Sequence, residues 1–376
     1  MPEPDNILIY RLGSLGDTVV ALPCFHLVRK VYPDSKITLL TNWPVSVKAP
    51  LAMSILDNSG LCDDTIGYPV STRSIAALAA IRESIRRLRP RVLINLVAAR
   101  GFLSSLRDYA FFRSCGIGVI VGTPFSRRDR ILNQLADGNY EPESSRLASR
   151  LGSLGALDLG DRSLWMLGLS PMERNQAAAL LRSDCKPFLA VSVGTKLPVN
   201  DWGDQNWKIL LTLLAREKPQ ATLVLLGSAG EWERSEELSR VWTGRHLNLC
   251  GRTASRISAA VLERCSLFIG HDSGPMHLAG AMGTPTLGLF SWYNPPGKWF
   301  PGHRSWEFIR VLYPRLPAGG WNQKLRMKNT ASEGIQLLKP GHVFRSAMVL
   351  WNSFDSKTAA GSQQFNGLSK SKIYLS

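Results

Sequence analysis

Hydrophobic and polar positions follow two repeating patterns in the first third of the chain. Short continuous apolar runs, typical of strands buried on both faces, alternate with stretches that have the spacing of amphipathic helices. The predicted strands are NILIYRL, KITLLT, RVLINLV and GIGVIVG. The predicted helices are DTVVALPCFHLVRKVY, in which Pro23 is an irregularity, and SIAALAAIRESIRRLRP. This alternation predicts a parallel sheet covered on both faces.

The second half of the chain repeats the alternation. The strands are FLAVSVG, ATLVLLG, LNLCG, LFIGHD and TPTLGLF, and the helices are DQNWKILLTLLAREK, EWERSEELSRVW, RISAAVLERC and GPMHLAGAMG. A chain of 376 residues exceeds the size of one ordinary core. We therefore predict two doubly wound α/β domains, 1–165 and 166–340, joined by a polar, partly helical stretch. A closing helix, 341–353, and a flexible tail, 354–376, complete the prediction.

The hexapeptide RLGSLG occurs twice, at Arg11–Gly16 and at Arg150–Gly155. The first copy lies between a predicted strand and a predicted helix and is followed by Asp17. The second copy follows the helical stretch ESSRLASR and is followed by Ala156. Open α/β sheets bind ligands where a strand leads into a helix. We therefore predict a site at the first copy and a helix end at the second.

Gly13, Ser14 and Gly16 are the predicted substrate-binding residues of the first copy. Glycines allow the backbone to approach a ligand closely, because they have no Cβ. Asp17 begins the following helix, where it has two roles open to it: a helix N-cap, or a carboxylate that takes a proton from a substrate hydroxyl. The pattern is not GxGxxG, so it does not support a nicotinamide-binding turn.

A second strand-to-helix turn lies at Asp272, Ser273 and Gly274, with Pro275 in the first turn of the helix. Free backbone N–H groups and the helix dipole make such a turn suitable for a diphosphate. Ser273 can donate its hydroxyl, and His277 reaches the same end of the helix. The alternative is a capped helix with a buried histidine.

Two further residues follow predicted strands of the second half. Lys196, in GTKLPVNDWGDQNW, either neutralises a phosphate or is a solvated lysine. Glu231, in LLGSAGEWE, either binds a ribose diol or favours the helix dipole. The chain has no Asp-x-Asp triple, so we predict no metal ion and no other cofactor. Lys196 and helix N–H groups would then meet the charge of a leaving diphosphate.

The charge balance indicates either anionic partners or a generally basic, solvated surface. Forty-five Lys and Arg against 29 Asp and Glu give a net charge of +16. The chain has no motif that reads nucleic acid, so lipid headgroups and phosphorylated substrates are favoured over nucleic acid. Five arginines either face a membrane or form the solvated side of a helix: Arg82, Arg86, Arg87, Arg89 and Arg91. The acidic N-terminus and the lack of a membrane-spanning run predict a cytoplasmic protein.

These motifs together resemble glycosyltransferase family 9, the heptosyltransferases of lipopolysaccharide assembly. The matching stretches are RLGSLGDTVVALP and LCGRTASRISAAVLERCSLFIGHDSGPMHLAGAMGTPTLGLF. The loop NPPGKWFPG also fits the family, and the similarity of order and spacing covers residues 5–312. The run DSGPMHLAGAMGTP is specific, whereas RLGSLGD is specific only in combination with it.

The resemblance implies a GT-B fold, in which two Rossmann-like domains face a central cleft, the first for an acceptor and the second for a nucleotide sugar. It implies an inverting, metal-independent transfer of heptose from ADP-heptose to a hydroxyl of a lipopolysaccharide-core or related glycan acceptor. It implies Asp17 as the base, Lys196 at the diphosphate and Glu231 at the ribose. The nucleotide–phosphate turn would hold Asp272, Ser273, Gly274 and His277.

The expected partners are a nucleotide sugar and an anionic lipid-linked or glycan acceptor, with peripheral contact at the inner face of the cytoplasmic membrane. Nucleic acid is not an expected partner. Two alternatives on the same fold are a nucleotide-sugar epimerase, which would turn over donor without acceptor, and a non-catalytic nucleotide-sugar-binding homologue.

Overall fold

The chain divides into two compact units, Met1–Gly168 and Leu169–Ser376, and each has its own parallel sheet. The structure, a computed structural model, describes residues 5–42, 53–69, 74–182, 187–315, 321, 334–359 and 373–375. The division falls close to the predicted boundary after residue 165. The predicted α/β fold class with two Rossmann-like domains is confirmed.

The first unit contains a five-stranded sheet. Its strands are β1 (Asn6–Tyr10), β2 (Lys36–Asn42), β3 (Asp64–Tyr68), β4 (Val92–Asn95) and β5 (Val119–Val121). They lie in the order β3-β2-β1-β4-β5, all parallel. The central strand, β1, is buried on both faces, which explains its continuous apolar run.

Helices cover this sheet. They are α1 (Leu15–Val20), α2 (Leu22–Val31), α3 (Met53–Leu56), α4 (Ile75–Leu88), α5 (Phe102–Ser114), α6 (Arg127–Arg130) and α7 (Glu143–Ser149). The single helix predicted after β1 is divided at Ala21, because Pro23 lies in the first turn of α2, where its missing N–H is tolerated. The second hexapeptide follows α7, and Arg150 forms its C-cap, so the second copy ends a helix as predicted.

Two elements of this unit differ from what the apolar pattern predicts. β3 lies at the edge of the sheet and contains Asp64 and Gly67, so it lacks an apolar run. In α5 the buried positions include Ser105 and Asp108, whereas Leu103 is exposed. The usual relation between apolarity and burial is reversed there, so the pattern does not predict a helix.

The second unit contains a seven-stranded parallel sheet. Its strands are β6 (Phe188–Ser192), β7 (Thr222–Leu225), β8 (His246–Asn248), β9 (Leu267–His271), β10 (Thr286–Leu289), β11 (Ile309–Tyr313) and β12 (Ile373–Leu375). Their order is β12-β11-β10-β9-β6-β7-β8. The helices are α8 (Pro171–Leu181), α9 (Asp204–Glu217), α10 (Trp232–Ser239), α11 (Ser255–Leu262), α12 (Gly274–Ala281) and α13 (Pro340–Ala359).

The closing helix is longer than predicted. α13 ends at Ala359 rather than at residue 353, because Phe354 continues the apolar face, with its ring 5.3 Å from that of Phe308. The predicted flexible tail is therefore helical over 354–359. Ile373–Leu375 pairs with β11, and the prediction of a flexible tail over 360–372 concerns residues outside the described ranges. None of the helices described is long and apolar enough to cross a membrane.

Candidate active site

The order of the strands marks one position for ligand binding in each unit, at the carboxyl ends of its strands. In an open parallel sheet, ligands bind at the carboxyl ends of the strands where the chain reverses its direction across the sheet. In the first unit this point lies between β1 and β4, and the turn with Gly13 and Asp17 leaves β1 there. In the second it lies between β6 and β9, which lead to Lys196 and Asp272.

Asp17 is held at the start of α1. Its Oδ2 accepts hydrogen bonds from the backbone N–H of Ser14, at 2.8 Å, and from the Ser14 hydroxyl, at 3.0 Å. Ser14 is therefore the N-cap, which corrects the role that the sequence suggested for Asp17, and the carboxylate takes part in a capping box. The Asp17 side chain is still 30% exposed, and its Oδ1 lies 3.9 Å from Nη2 of Arg11. One oxygen is fixed while the carboxyl group keeps access to solvent.

Gly13 gives Asp17 the space that it occupies. The φ angle of Gly13 is +131°, and a Cβ there would lie 2.5 Å from Cβ and Cγ of Asp17. The N–H of Gly13 donates to Oδ1 of Asn42, the last residue of β2, at 2.9 Å. Gly16 is buried in the first turn of α1. A side chain at position 13 would move the carboxylate.

Arg11 and Asn42 are site residues that the sequence analysis missed. The Arg11 side chain is 1% exposed and donates to the carbonyl oxygens of Leu96 and Asp17. It therefore ties the ends of β1 and β4 to α1. A polar residue at the carboxyl end of a buried strand is the signal that could have identified both.

In the second unit, Asp272 and His277 lie together at the start of α12. Oδ1 of Asp272 is 3.5 Å from Nε2 of His277, and Oδ2 accepts a hydrogen bond from Asn294 at 3.2 Å. Ser273 is the N-cap of α12 and Gly274 its first residue. The structure thus brings together all four residues predicted at this turn.

Two polar atoms of this turn are buried without a partner. Among the residues that the structure describes, neither Oγ of Ser273 nor Nδ1 of His277 makes a hydrogen bond, and His277 is 3% exposed. A buried polar atom without a partner costs about 1–3 kcal/mol. The free N–H groups of a helix start lie at the same place, and they favour negative charge. This turn is therefore suited to an anionic ligand.

Glu231 lies against the ends of β6 and β7. Its Oε2 accepts a hydrogen bond from the N–H of Ser228 at 2.7 Å. A Cβ at Gly194, after β6, or at Gly227, after β7, would overlap the carboxylate. Glu233, the neighbouring acid, is exposed in the first turn of α10. Of the two acids, Glu231 is the one at the carboxyl ends of the strands.

Lys196 is exposed in the loop that follows β6. The same loop is anchored by Asp201, which pairs with Arg234 of α10 through two contacts of 2.8 Å. Burial alone would raise the pKa of Asp201, but the Arg234 guanidinium holds it below its usual value. The loop that carries Lys196 is therefore tied to the element that follows Glu231.

His271, which the sequence analysis did not single out, connects this loop to the end of β9. Its Nε2 accepts from the N–H of Trp202 at 3.1 Å, so Nδ1 carries the proton and donates to the carbonyl of Gly194 at 3.3 Å. The ring is fully buried against Trp207, and burial lowers its pKa to about 4. His271 therefore acts as a neutral brace between β6 and β9.

No metal centre is formed by the ranges described: no three His, Cys, Asp or Glu side chains come close enough to hold an ion. The polar groups at the second unit's edge are instead a lysine, a hydroxyl, an imidazole and carboxylates. Groups of this kind can recognise phosphates and sugar hydroxyls through charge-assisted hydrogen bonds.

Comparisons with known proteins place this chain among relatives of known class. The model of the family "Glycosyltransferase family 9 (heptosyltransferase)" matches residues 147–318. The lipopolysaccharide core heptosyltransferase OpsX of Haemophilus influenzae is 23% identical over 298 residues, which cover 78% of this chain and 80% of that protein.

Solved structures share the fold. A family 9 glycosyl transferase from Veillonella parvula DSM 2008 has a TM-score of 0.69 at 18% identity and covers 93% of this chain and 98% of its own. ADP-heptose lipopolysaccharide heptosyltransferase II of E. coli has a TM-score of 0.61 at 18% identity, with 93% and 99% covered. Residues 147–318 of this chain therefore match the glycosyltransferase family 9 model, and the chain is similar to a lipopolysaccharide core heptosyltransferase over most of its length, in agreement with the resemblance that the sequence predicted.

Proposed function

We propose that the chain transfers heptose from ADP-heptose to a hydroxyl of a lipopolysaccharide-core or related glycan acceptor, with inversion and without a metal ion or other cofactor. One observation carries the proposal: within the described parts of the chain, the start of α12 buries two polar atoms that have no hydrogen-bond partner, Oγ of Ser273 and Nδ1 of His277, beside the N–H groups of a helix start. A diphosphate supplies acceptors for such groups. The E. coli relative, whose name includes ADP-heptose, supports the choice of donor.

The second unit holds the donor in this proposal. The diphosphate binds at Ser273 and the N–H groups of the α12 start, and Lys196 balances its charge. Glu231, which lies between Gly194 and Gly227, binds the ribose hydroxyls. Fixed donors of this kind stabilise the charge that develops on the leaving diphosphate more effectively than mobile water does.

The reaction is one displacement. The acceptor oxygen forms a bond to the anomeric carbon while the bond from that carbon to the diphosphate oxygen breaks. The acceptor proton passes to Asp17, whose Oδ2 is fixed by Ser14 and whose carboxyl group remains accessible. Positioned base catalysis of this type contributes about 10²–10⁴-fold to the rate.

The net charge of +16 supports an anionic acceptor. We propose that the acceptor is lipid-linked and phosphorylated, and that the protein works in the cytoplasm in peripheral contact with the inner face of the membrane. Nucleic acid is not part of the proposal, since the basic residues are not arranged as a nucleic-acid-reading module.

The test is Asp17→Asn with Asp129→Asn as the matched control. Asp129 forms the same capping box with Ser126 at the start of α6, so both substitutions make the same change at the same kind of helix start. We expect Asp17→Asn to lower kcat about 10²–10⁴-fold while the affinity for ADP is nearly kept. Asp129→Asn should leave kcat within about twofold.

Steady-state kinetics with ADP-heptose and a heptose-accepting core glycan, and calorimetric titration with ADP, measure the two quantities. Equal activity of the Asp17→Asn protein and the wild type would remove Asp17 from the reaction. Release of a modified sugar from donor alone, with no acceptor present, would favour the epimerase alternative.

A further inference from the structure

The first turn of α5 leaves three large apolar side chains in solvent. Phe102 and Leu106 are each 45% exposed, and Leu103 is 79% exposed. Gly101, at the N-cap with a φ angle of +104°, turns the chain into this helix. Apolar side chains grouped in this way on a protein surface mark a place where a partner or a lipid surface is met.

The segment that carries these side chains is rich in arginine. Residues 100–130 contain six Arg and two Asp, with no Lys or Glu. The guanidinium of Arg130 lies 5.3 Å from the centre of the Phe102 ring, and Arg127 and Arg128 are exposed beside it in α6. The rim of the apolar group is therefore cationic.

Both aspartates of this segment have partners within the protein. Asp108 accepts from Arg100 at 2.6 Å and from Arg107 at 2.7 Å, and Asp129 accepts from the hydroxyl of Ser126 at 2.6 Å. Two guanidiniums share the one carboxylate of Asp108, so a positive charge remains there. The surface as a whole complements an anion.

This surface lies next to the carboxyl ends of the strands, where the turn with Asp17 is located. Tyr10, the last residue of β1, donates its hydroxyl to Asp108 of α5 at 3.5 Å, so α5 packs at the carboxyl end of β1. The turn that leads to Asp17 begins directly after Tyr10. A molecule bound at α5 therefore lies at the carboxyl ends of the strands, as the proposed base does.

The arginines at the end of α4 and in the link to β4 lie at the opposite, amino ends of the strands. A cavity of about 740 Å³ lies there, lined by Arg86, Arg87, Arg89 and Arg91 together with Asn6, the first residue of β1, and Asp5, which precedes it. β1 has five residues, and at roughly 3.3 Å per residue it separates the two edges by about 16 Å. The amino ends of the strands are therefore the less suitable place for a substrate that must reach Asp17.

We propose that the α5 surface docks on the anionic face of a lipid bilayer. The α5 surface consists of Phe102, Leu103, Leu106, Arg127, Arg128 and Arg130. The apolar side chains enter the boundary between headgroups and acyl chains, and the guanidiniums contact lipid phosphates. This inference rests on the proposed lipid-linked acceptor, whose sugar would then be presented at the edge that carries Asp17.

Vesicle flotation tests the proposal with the full chain. The vesicles contain phosphatidylcholine alone or phosphatidylcholine with phosphatidylglycerol, and each is used at low and at high salt. We expect the wild type to float with the anionic vesicles at low salt only. Phe102→Ser with Leu103→Ser, and separately Arg127→Ser with Arg128→Ser, should each lower the partition coefficient by roughly tenfold or more.

Arg89→Ser with Arg91→Ser is the matched control for the arginine variant, because it also removes two positive charges from exposed positions, but at the amino ends of the strands. The control should float nearly as the wild type does. The proposal is overturned by a wild type that does not float with anionic vesicles, or by a control that loses as much binding as the α5 variants lose.

A second measurement does not depend on the double variants folding. An environment-sensitive dye on Leu103→Cys should shift its emission to the blue with anionic vesicles, whereas the same dye on Arg89→Cys should not. Equal shifts at both positions would contradict docking through α5. Stabilisation by ADP is measured in parallel on each protein, so a failed transferase proposal is distinguished from a failed docking surface.

Discussion

At the scale of single residues, the two copies of RLGSLG differ in the backbone conformation of the third residue. Gly13 has a φ angle of +131° and faces the Asp17 side chain, with no room for a Cβ. Gly152 has no such φ angle, and its nearest neighbour to an added Cβ is the carbonyl oxygen of Ser149, at 3.6 Å. The same residue in the same hexapeptide therefore has different tolerance for substitution.

We expect Gly13→Ala to abolish most of the transferase activity and to lower the free energy of unfolding by about 1–3 kcal/mol, since it imposes backbone strain and displaces Asp17. Gly152→Ala should keep both close to wild type. Denaturant unfolding and kcat measure the two effects. A Gly13→Ala protein with normal kcat would show that the position of the Asp17 carboxylate does not matter.

The sequence identified most of these residues but not how they contact each other. Strand-to-helix spacing was enough to single out Asp17 and Ser273. Spacing could not show that Ser14 rather than Asp17 is the N-cap, or that Arg11 is buried, because both depend on contacts that only the folded chain forms. His271 was missed for the same reason: its partners, Trp202 and Gly194, are distant in sequence.

At the scale of elements, His271 joins β9 to the segments that follow β6. Because the buried ring is neutral, with a pKa lowered to about 4, the folded chain does not bind a proton that the unfolded chain binds below about pH 6.5. Between these two values the free energy of unfolding must rise with pH. This brace therefore contributes fully above pH 6.5 and is weakened as the pH falls toward 4.

We expect the wild type to lose up to about 1.4 kcal/mol of stability per pH unit between pH 6.5 and pH 4.5 from this residue. His271→Gln should be less stable than wild type at pH 7.5 and should lose less on acidification. Urea unfolding at several pH values measures both, and His246→Gln, at an exposed histidine of β8, is the control. Parallel pH profiles for wild type and His271→Gln would contradict the assignment.

Elements differ in how well the apolar pattern predicted them. Strands such as β1 and β9, which are buried along their whole length, have continuous apolar runs. α5 was not predicted, because its helix positions are occupied by exposed apolar and buried polar residues such as Leu103 and Asp108. The reversal that concealed the helix is the feature on which the docking proposal rests, since a surface that meets lipid is apolar where a solvated one is polar.

At the scale of the whole molecule, all of the residues proposed to bind the nucleotide lie in the unit Leu169–Ser376, whereas Asp17 and the α5 surface lie in the unit Met1–Gly168. Each unit has its own buried cluster of apolar side chains. In the proposed function, donor binding and acceptor chemistry are thus encoded in separate halves of the sequence, so variants in one half test one proposed role.

We expect ADP to stabilise the protein more than UDP or GDP, with a gain of about 2.7 kcal/mol when its concentration is a hundred times Kd. His277→Asn should reduce this gain, whereas Asp17→Asn should keep it. Thermal-shift assays with the three nucleotides measure the order. A larger shift with UDP than with ADP would overturn the proposed donor.

The carboxylate of Glu231 occupies the space that a side chain at Gly194 or Gly227 would need, and this has a practical consequence for altering the enzyme. Any side chain added at either glycine would evict the carboxylate, so these two positions cannot be varied while Glu231 is retained. Single-site libraries at Gly194 or Gly227 would therefore return mostly inactive clones, whatever donor is offered. A redesign aimed at a different nucleotide sugar has to vary the three codons jointly.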